Sequence, residues 1–332
     1  MVAGPGRSAL SRARVGRGVA LGRLQSVDAY RGLALIAMAA YHTLWDLNYY
    51  GLIEAGIGVD PVWLTAQRSI VSGFLLLTGA SLVLAHGDGI RWRSFWKREA
   101  ILVGAAALVS LATWFAFEQY FAYFGVLHAI ALFSLMALPF VRLPLPTAIV
   151  TAAVFLLLPA VFQSDLFDPK GLDWIGFFKD TPETADLVPI FPWFGVVLVG
   201  VIGMRLWRTS PAFTWASRNR VVRGLAFLGR WSLLFYLLHQ AVIFGIVTLI
   251  ANSVNATEAV KVATFTQSCT AQCLPGHDAK FCTAYCGCAL ELTVRDDLWG
   301  AINAKPRSDL QQQAVDQMTR LCTAMGNGND NG

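Results

Sequence analysis

The sequence predicts an all-α, polytopic integral membrane protein with about seven transmembrane helices and a small disulfide-rich helical domain at its C-terminus. Three observations carry that prediction. Hydrophobic residues make up 55% of the 332 positions and charged residues only 14%, against roughly 25% charged in an ordinary soluble domain. Apolar stretches recur at intervals, each near the roughly 20 residues that cross a bilayer. All six cysteines lie behind the last of these stretches.

The elements follow in order. An arm over 1–23 carries Arg7, Arg12, Arg14, Arg17 and Arg23 and no acid, so it reads as disordered or resting on anionic lipid. Apolar spans are expected at about 27–50, 67–86, 99–117, 124–141, 145–162, 188–206 and 230–251. The first holds Arg31, His42 and Asp46. Arg68 heads the second, and the third follows Arg91, Arg93, Lys97 and Arg98. The fourth opens on Phe124-Gly125-Val126-Leu127-His128. Pro189 and Pro192 predict an irregular start to the sixth. The seventh runs from Arg230 through Ser232 and Tyr236 to His239-Gln240, placing His239 about 13 Å above Arg230, near mid-bilayer.

Orientation follows from the short loops, because Lys and Arg accumulate on the cytoplasmic side. With the arm inside, the segments holding Arg91 to Arg98, Arg142 and Arg205 to Arg223 also fall inside. The intervening segment 163–187 holds Asp165, Asp168, Asp173, Asp180, Glu183 and Asp186 against Lys170 and Lys179, and falls outside. The net charge of +5 thus describes membrane sidedness, and no basic soluble surface for nucleic acid is evident. A cleaved signal at Ala37-Met38-Ala39 is disfavoured by the long basic region before it.

Seven crossings place the segment 252–326 outside the cytoplasm, where disulfides persist. Cys269-x3-Cys273 and Cys282-x3-Cys286 each set two thiols one helical turn apart, with Leu274-Pro275-Gly276 as a turn between them. Six cysteines allow fifteen pairings. The geometry favours nested Cys269–Cys286 and Cys273–Cys282 bridges, leaving Cys288 for Cys322. No metal site is expected, since Cys-x3-Cys is not the usual zinc spacing and only His277 is near. Ser308 with Gln311 resembles a capping box for a last helix bearing Leu310, Ala314, Met318, Leu321 and Cys322 at helical spacing. Residues 327–332 read as disordered. The domains are therefore the arm 1–23, a membrane domain 24–251, the cysteine-rich domain 252–326 and the tail 327–332.

Ionisable side chains inside hydrocarbon face a bundle interior or a wet cavity, because burying their charge costs several kcal/mol. Arg31 and His42 stand eleven positions apart, about 20° in azimuth and about 16 Å in depth on one helix. Asp46 follows at i+4 on the same face. His239 near mid-membrane and His128 near the outer surface are further candidates. Imidazole, with a pKa near 7, suits proton transfer from an acceptor, and a nearby cation suits developing negative charge.

The run Ser26-Val27-Asp28-Ala29-Tyr30-Arg31-Gly32-Leu33-Ala34-Leu35-Ile36-Ala37-Met38, with His42 and Asp46, resembles bacterial members of the heparan-α-glucosaminide N-acetyltransferase catalytic-domain family. The Arg-x10-His spacing is similar to that of the wider transmembrane acyltransferase superfamily. Phe74 to Gly79, Phe124 to His128, Val188 to Trp193 and Gly229 to Gln240 extend the resemblance over about residues 22–250. It implies transfer of an acyl group, acetyl above all, from cytoplasmic acyl-CoA to an acceptor beyond the membrane, an envelope sugar or other glycan. It makes His42 the general base or acyl-accepting group, Arg31 a cation on the CoA side and Asp46 an orienter. Lysosomal members place Asn where His42 stands here and a His further on, whereas no histidine falls between Thr43 and His86.

The phosphorylated head of CoA would be attracted by Arg91, Arg93, Lys97 and Arg98, and by the Arg205 to Arg223 group. The expected site is the inner (plasma) membrane, with membrane lipids as neighbours and self-association neither required nor forbidden. A different class competes: a transporter or proton-coupled permease whose Arg, His and Asp form a relay. A non-catalytic anchor presenting the cysteine domain is a third reading.

Overall fold

The computed structural model describes residues 24–53, 55–57, 60–116, 120–207, 215–254, 256–304 and 307–328. The arm over 1–23 and the last four residues, 329–332, lie outside the described residues.

Helix α1 (Gln25–Tyr49) carries Asp28 in its first turn, where a carboxylate complements the helix dipole. Helix α2 (Pro61–His86) starts on proline behind Asp60, whose side chain accepts from the Val62 N–H at 2.9 Å. That pairing of a capping Asp with a leading Pro satisfies one amide and dispenses with another. Helices α3 (Trp92–Ala116), α4 (Val126–Ala137), α5 (Leu145–Leu157) and α6 (Ile190–Trp207) follow. Next come α7 (Arg220–Arg230) and α8 (Ser232–Ser253). The C-terminal part holds α9 (Ala256–Cys273), α10 (Ala279–Arg295), α11 (Trp299–Asn303) and α12 (Asp309–Gly328). Among the described residues no strand forms; Phe124 and Leu187 make an isolated parallel bridge.

Each apolar stretch of the sequence falls on a helix. Among the described residues four helices, α2, α3, α6 and α8, are long and apolar enough to cross a membrane. α4 and the stretch Leu145–Ala160 are apolar but shorter, and α1 spans 25 residues.

Four boundaries differ most from expectation. The second helix begins at Pro61 rather than near 67, so Arg68 lies about two turns inside it instead of at its head. The third helix begins at Trp92 rather than near 99, so Lys97, Arg98 and Glu99 lie on the helix itself. Arg230 does not begin the last membrane helix; it ends α7, and the chain leaves helical geometry at Trp231 (φ −99°, ψ 23°) before α8 starts. α7 is a separate amphipathic helix, capped by Asn219 through the Val221 N–H at 2.8 Å. The last helix continues to Gly328, past the expected start of the disordered tail at 327. As the prolines suggested, α6 opens irregularly, with non-helical Phe191 and a cis Phe191–Pro192 peptide.

By packing, the chain forms two units, and the division runs through α1 and α8: one takes residues up to Tyr41 with Asp60–Gln240, the other His42–Val59 with Ala241–Gly332. The first unit has a continuous apolar core around Leu75, Phe95, Phe133, Phe194 and Val197. Two pairs of glycines let backbones meet there. A Cβ on Gly79 would lie 2.1 Å from the Val197 carbonyl oxygen, and one on Gly200 would lie 2.2 Å from that of Leu76, so α2 and α6 touch main chain to main chain. Likewise, a Cβ on Gly32 of α1 would meet the Leu225 oxygen at 2.0 Å, and one on Gly229 of α7 the Asp28 oxygen at 1.8 Å.

In the second unit, Cys269–Cys286 and Cys273–Cys282 staple α9 to α10, and Cys288–Cys322 ties α10 to α12. Ala289, Met318 and the last cystine form a small core with Phe265, Tyr285 and Val315 around them. The capping box closes as the spacing suggested: the Ser308 N–H donates to Gln311 Oε1 at 2.9 Å and the Gln311 N–H to Ser308 Oγ at 3.3 Å. Leu310 and Leu321 instead point outward, 79% and 49% exposed. The buried side of α12 is set by Val315, Met318 and Cys322, the residues that face the bridged α10.

Candidate functional site

A cavity of about 440 Å³ opens inside the first unit, walled by α1, α2, α3, α4 and α8. Helical spacing builds it: Phe74, Leu77, Thr78 and Ser81 share one face of α2, and Ser94, Lys97, Arg98, Ile101 and Leu102 share one face of α3. Its polar lining is Arg31, Thr78, Ser81, Ser94, Lys97, Arg98, Ser232 and Tyr236; the rest is apolar, with Leu77, Leu102 and Leu127 among it.

Arg31 is fixed from two sides. Its Nη1 donates to Asp28 Oδ1 at 3.1 Å and its Nη2 to Ser81 Oγ at 2.7 Å. The partner carboxylate is 5% exposed and Arg31 itself 23%, so this ion pair is less screened than a surface one. Arg98 reaches Ser134 Oγ at 3.4 Å. A charge-bearing wall thus faces an apolar slot, which suits a ligand with an anionic end and an uncharged arm.

A second cavity of about 600 Å³ is lined by Arg91, Trp92, Arg93, Ser94 and Lys97. It shares Ser94 and Lys97 with the first. The turn before it is held by His86, whose Nδ1 accepts from the Arg91 N–H at 3.2 Å, while Arg91 Nε donates to the Ala85 carbonyl at 3.0 Å. All four cations expected for cofactor binding, Arg91, Arg93, Lys97 and Arg98, therefore line one or other of these two cavities, and Arg31 lines the first. Glu99, the next residue on α3, was not foreseen as a candidate. It is 6% exposed, and its signal is an acid at the very start of the expected apolar span.

The histidines occupy other surroundings. His239 on α8 is 8% exposed; its Nδ1 donates to the Tyr236 carbonyl at 2.8 Å and its ring stacks on Phe235. His128 serves the start of α4. Its Nδ1 accepts from the Gly125 N–H at 3.3 Å, and its Nε2 meets Ser110 Oγ at 3.2 Å. Ser110 Oγ in turn donates to the Ala122 carbonyl, so this ring ties α3 to α4. His42 and Asp46 lie on the second half of α1, within the second unit. His42 is half-buried and Asp46 fully buried.

Two further carboxylates find partners that lie out of reach of local pattern. Asp186 accepts from the Val126 N–H at 2.8 Å at the N-terminus of α4. Burial pushes its carboxyl up to about 6, with that amide bond pulling the other way. The segment carrying it is pinned beside 120–124: the Ala185 N–H donates to the Tyr120 carbonyl and the Val188 N–H to that of Phe124. Asp173 is fully buried and accepts from the Tyr123 hydroxyl. Burial raises both groups above their ordinary values. Among the described residues, no group of three or more His, Cys, Asp or Glu is placed to hold a metal ion.

Fold and cavity together define a helical multi-pass membrane protein built around a cationic interior space. Residues 23–241 match the family described as "Heparan-alpha-glucosaminide N-acetyltransferase, catalytic". That match covers more than half of the 332 residues, and the chain belongs to this family of transmembrane acetyltransferases. It takes in α1 to α7 and the first half of α8, and leaves the cysteine-bridged helices outside. No curated protein and no solved structure matches the chain.

Proposed function

We propose that the protein moves an acetyl group from cytoplasmic acetyl-CoA to an acceptor beyond the membrane, an envelope sugar. The observation that supports this most is the pair of neighbouring cavities that share Ser94 and Lys97, one lined by Arg91, Arg93 and Lys97 and the other by Arg31, Lys97 and Arg98. Acetyl-CoA, when bound, supplies an acetyl group activated as a thioester at the end of a long uncharged arm carrying phosphates. The cavity of Arg91, Arg93 and Lys97 has three cations and no acid in its walls, and so fits the phosphates. The cavity of Arg31 has Leu77, Leu102 and Leu127 along its sides and fits the arm.

Within this reading each side chain has a task. Arg91, Arg93 and Lys97 hold the anionic end. Arg31, preorganised by Asp28 and Ser81, stabilises negative charge where it develops. His42 takes the acceptor's proton as general base, since imidazole titrates near working pH. Asp46, one helical turn on, orients that ring. His239 and His128 act on the reaction through α8 and α4. Seven crossings, an inner N-terminus and an outer cysteine domain in the plasma membrane complete the reading; the basic short loops and the disulfides support it.

The test is label transfer in everted membrane vesicles given radiolabelled acetyl-CoA, with wild type beside His42→Ala and Lys97→Ala. The expected result is loss of transfer in the first variant and a raised KM for acetyl-CoA in the second. Transfer unaltered in both would overturn the proposal. Acceptor flux through liposomes without acetyl-CoA would favour the permease instead.

A further inference from the structure

Another basic cavity lies beside α7 and shares no lining residue with the two already described. It measures about 620 Å³ and is walled by Arg220, Arg223, Phe227 and Arg230 of α7 and by Gln25 and Asp28 of α1. Three guanidinium groups face one carboxylate, and that carboxylate already bonds Arg31 at 3.1 Å. Among the described residues, neither Arg220 nor Arg223 has an acidic side chain in ion-pair reach. The cavity is therefore left with an excess of positive charge, which an anion would neutralise.

The walls are held firmly enough to form a site. Gln25 clamps the approach to α7 with two bonds: its Nε2 donates to the Ser217 carbonyl at 3.1 Å, and its Oε1 accepts from the Ser217 N–H at 2.9 Å. The main-chain approach of Gly229 to Asp28 and of Gly32 to Leu225 fixes the spacing between the helices.

The surroundings say which anion fits. Phe227 is 62% exposed, Val221 69% and Trp231 53%, so large apolar groups stand beside the arginines. A helix with arginines and exposed aromatic residues interleaved is suited to the headgroup boundary of a bilayer, where tryptophan is also favoured. A soluble phosphate would make no use of those rings, whereas acyl chains would cover them. A guanidinium presents paired N–H groups that match phosphate oxygens.

We infer that Arg220, Arg223 and Arg230 hold the phosphate of an anionic phospholipid, with its headgroup in the cavity between α7 and the start of α1 and its chains along Phe227 and Trp231. The site stands whether or not the acetyl donor binds as proposed above, because its test reads lipid and not turnover.

The experiment uses the full chain, purified in detergent from nanodiscs containing phosphatidylglycerol and phosphatidylcholine in equal amounts, with retained lipid counted by native mass spectrometry. Wild type is expected to retain phosphatidylglycerol in preference to phosphatidylcholine. Arg220→Gln with Arg223→Gln is expected to lower that preference about thirtyfold, the effect of removing two charges from an anionic headgroup region. The matching double Lys variant should recover most of it, which separates charge loss from misfolding. Two competitors identify the source of the phosphate. Retention should survive added inorganic phosphate and added acetyl-CoA. Displacement by inorganic phosphate would assign the cavity to a soluble anion, and displacement by acetyl-CoA to the donor's nucleotide; either overturns the inference. Equal retention of the two lipids by wild type, or the same preference in wild type and the Gln variant, would also overturn it.

Discussion

The α2–α6 body and the α9–α12 tail are both made of helices, yet they are held together by different physics. In the body, glycines bring main chains into contact and a broad apolar core fills the remaining space. In the tail, the apolar core is a handful of residues around one cystine, and three covalent bridges supply what burial cannot. The lesson is that close packing suits a region that must enclose a cavity, since it leaves side chains there free for chemistry. Bridges suit a small unit with too little surface to bury.

The largest effect should come from breaking the packing. Gly79→Leu drives a side chain into the Val197 carbonyl and should cost more than about 4 kcal/mol, seen as loss of monodisperse protein. Gly73→Ala on the same helix meets nothing within 4 Å and should be neutral or stabilise by up to about 1 kcal/mol in a thermal melt. Breaking the tail comes next. Cys288→Ser with Cys322→Ser opens a loop of sequence separation 34 and should cost about 4 kcal/mol. Cys273→Ser with Cys282→Ser, at separation 9, should cost about 3 kcal/mol. Hydrogen exchange should place both losses in α9–α12 and leave α2–α6 protected.

A smaller effect tests the buried carboxylate of the body. Asp186 titrates near 6 in the fold against an ordinary 3.8, so between those values the folded chain holds the extra proton. Its stability contribution is present at low pH and falls as pH rises from about 4 to about 6. Asp186→Asn keeps an acceptor for the Val126 N–H and removes the titration. Its melting temperature should vary less with pH than that of wild type, by a difference of at most about 3 kcal/mol. The smallest expected effect sharpens the comparison at the cavity itself. Lys97→Ala should raise the KM for acetyl-CoA about tenfold, the worth of one charge-assisted bond, with little change in melting.

Much of this was legible in the chain because its signals are local. Apolar length marks helices, and a spacing of four sets two cysteines on one turn, which brings Cys269 to Cys286 and Cys273 to Cys282. The cations Lys97 and Arg98 stood out as charges bordering a span. Other features were not legible because their partners are remote. Asp186 finds Val126 sixty residues away and Asp173 finds Tyr123 fifty away, and no periodicity links such pairs. α7 was missed for a different reason. Its arginines and glycines interrupt the apolar run, so a window that seeks continuous hydrophobicity passes over a helix whose order lies around its axis. Glu99 stood at the boundary of an expected span, where an acid reads as solvated, and only a helix starting at Trp92 carries it about two turns inside.

Asp28 borders the α7 cavity and also grips Arg31, which borders the cavity walled by α1, α2, α3, α4 and α8. A headgroup seated on one side of that carboxylate alters the field felt on the other, and such an influence runs equally in both directions. The thickness of one side chain would then make the membrane's own composition a thermodynamic partner of affinity in the neighbouring cavity, a modulation that leaves the headgroup seated.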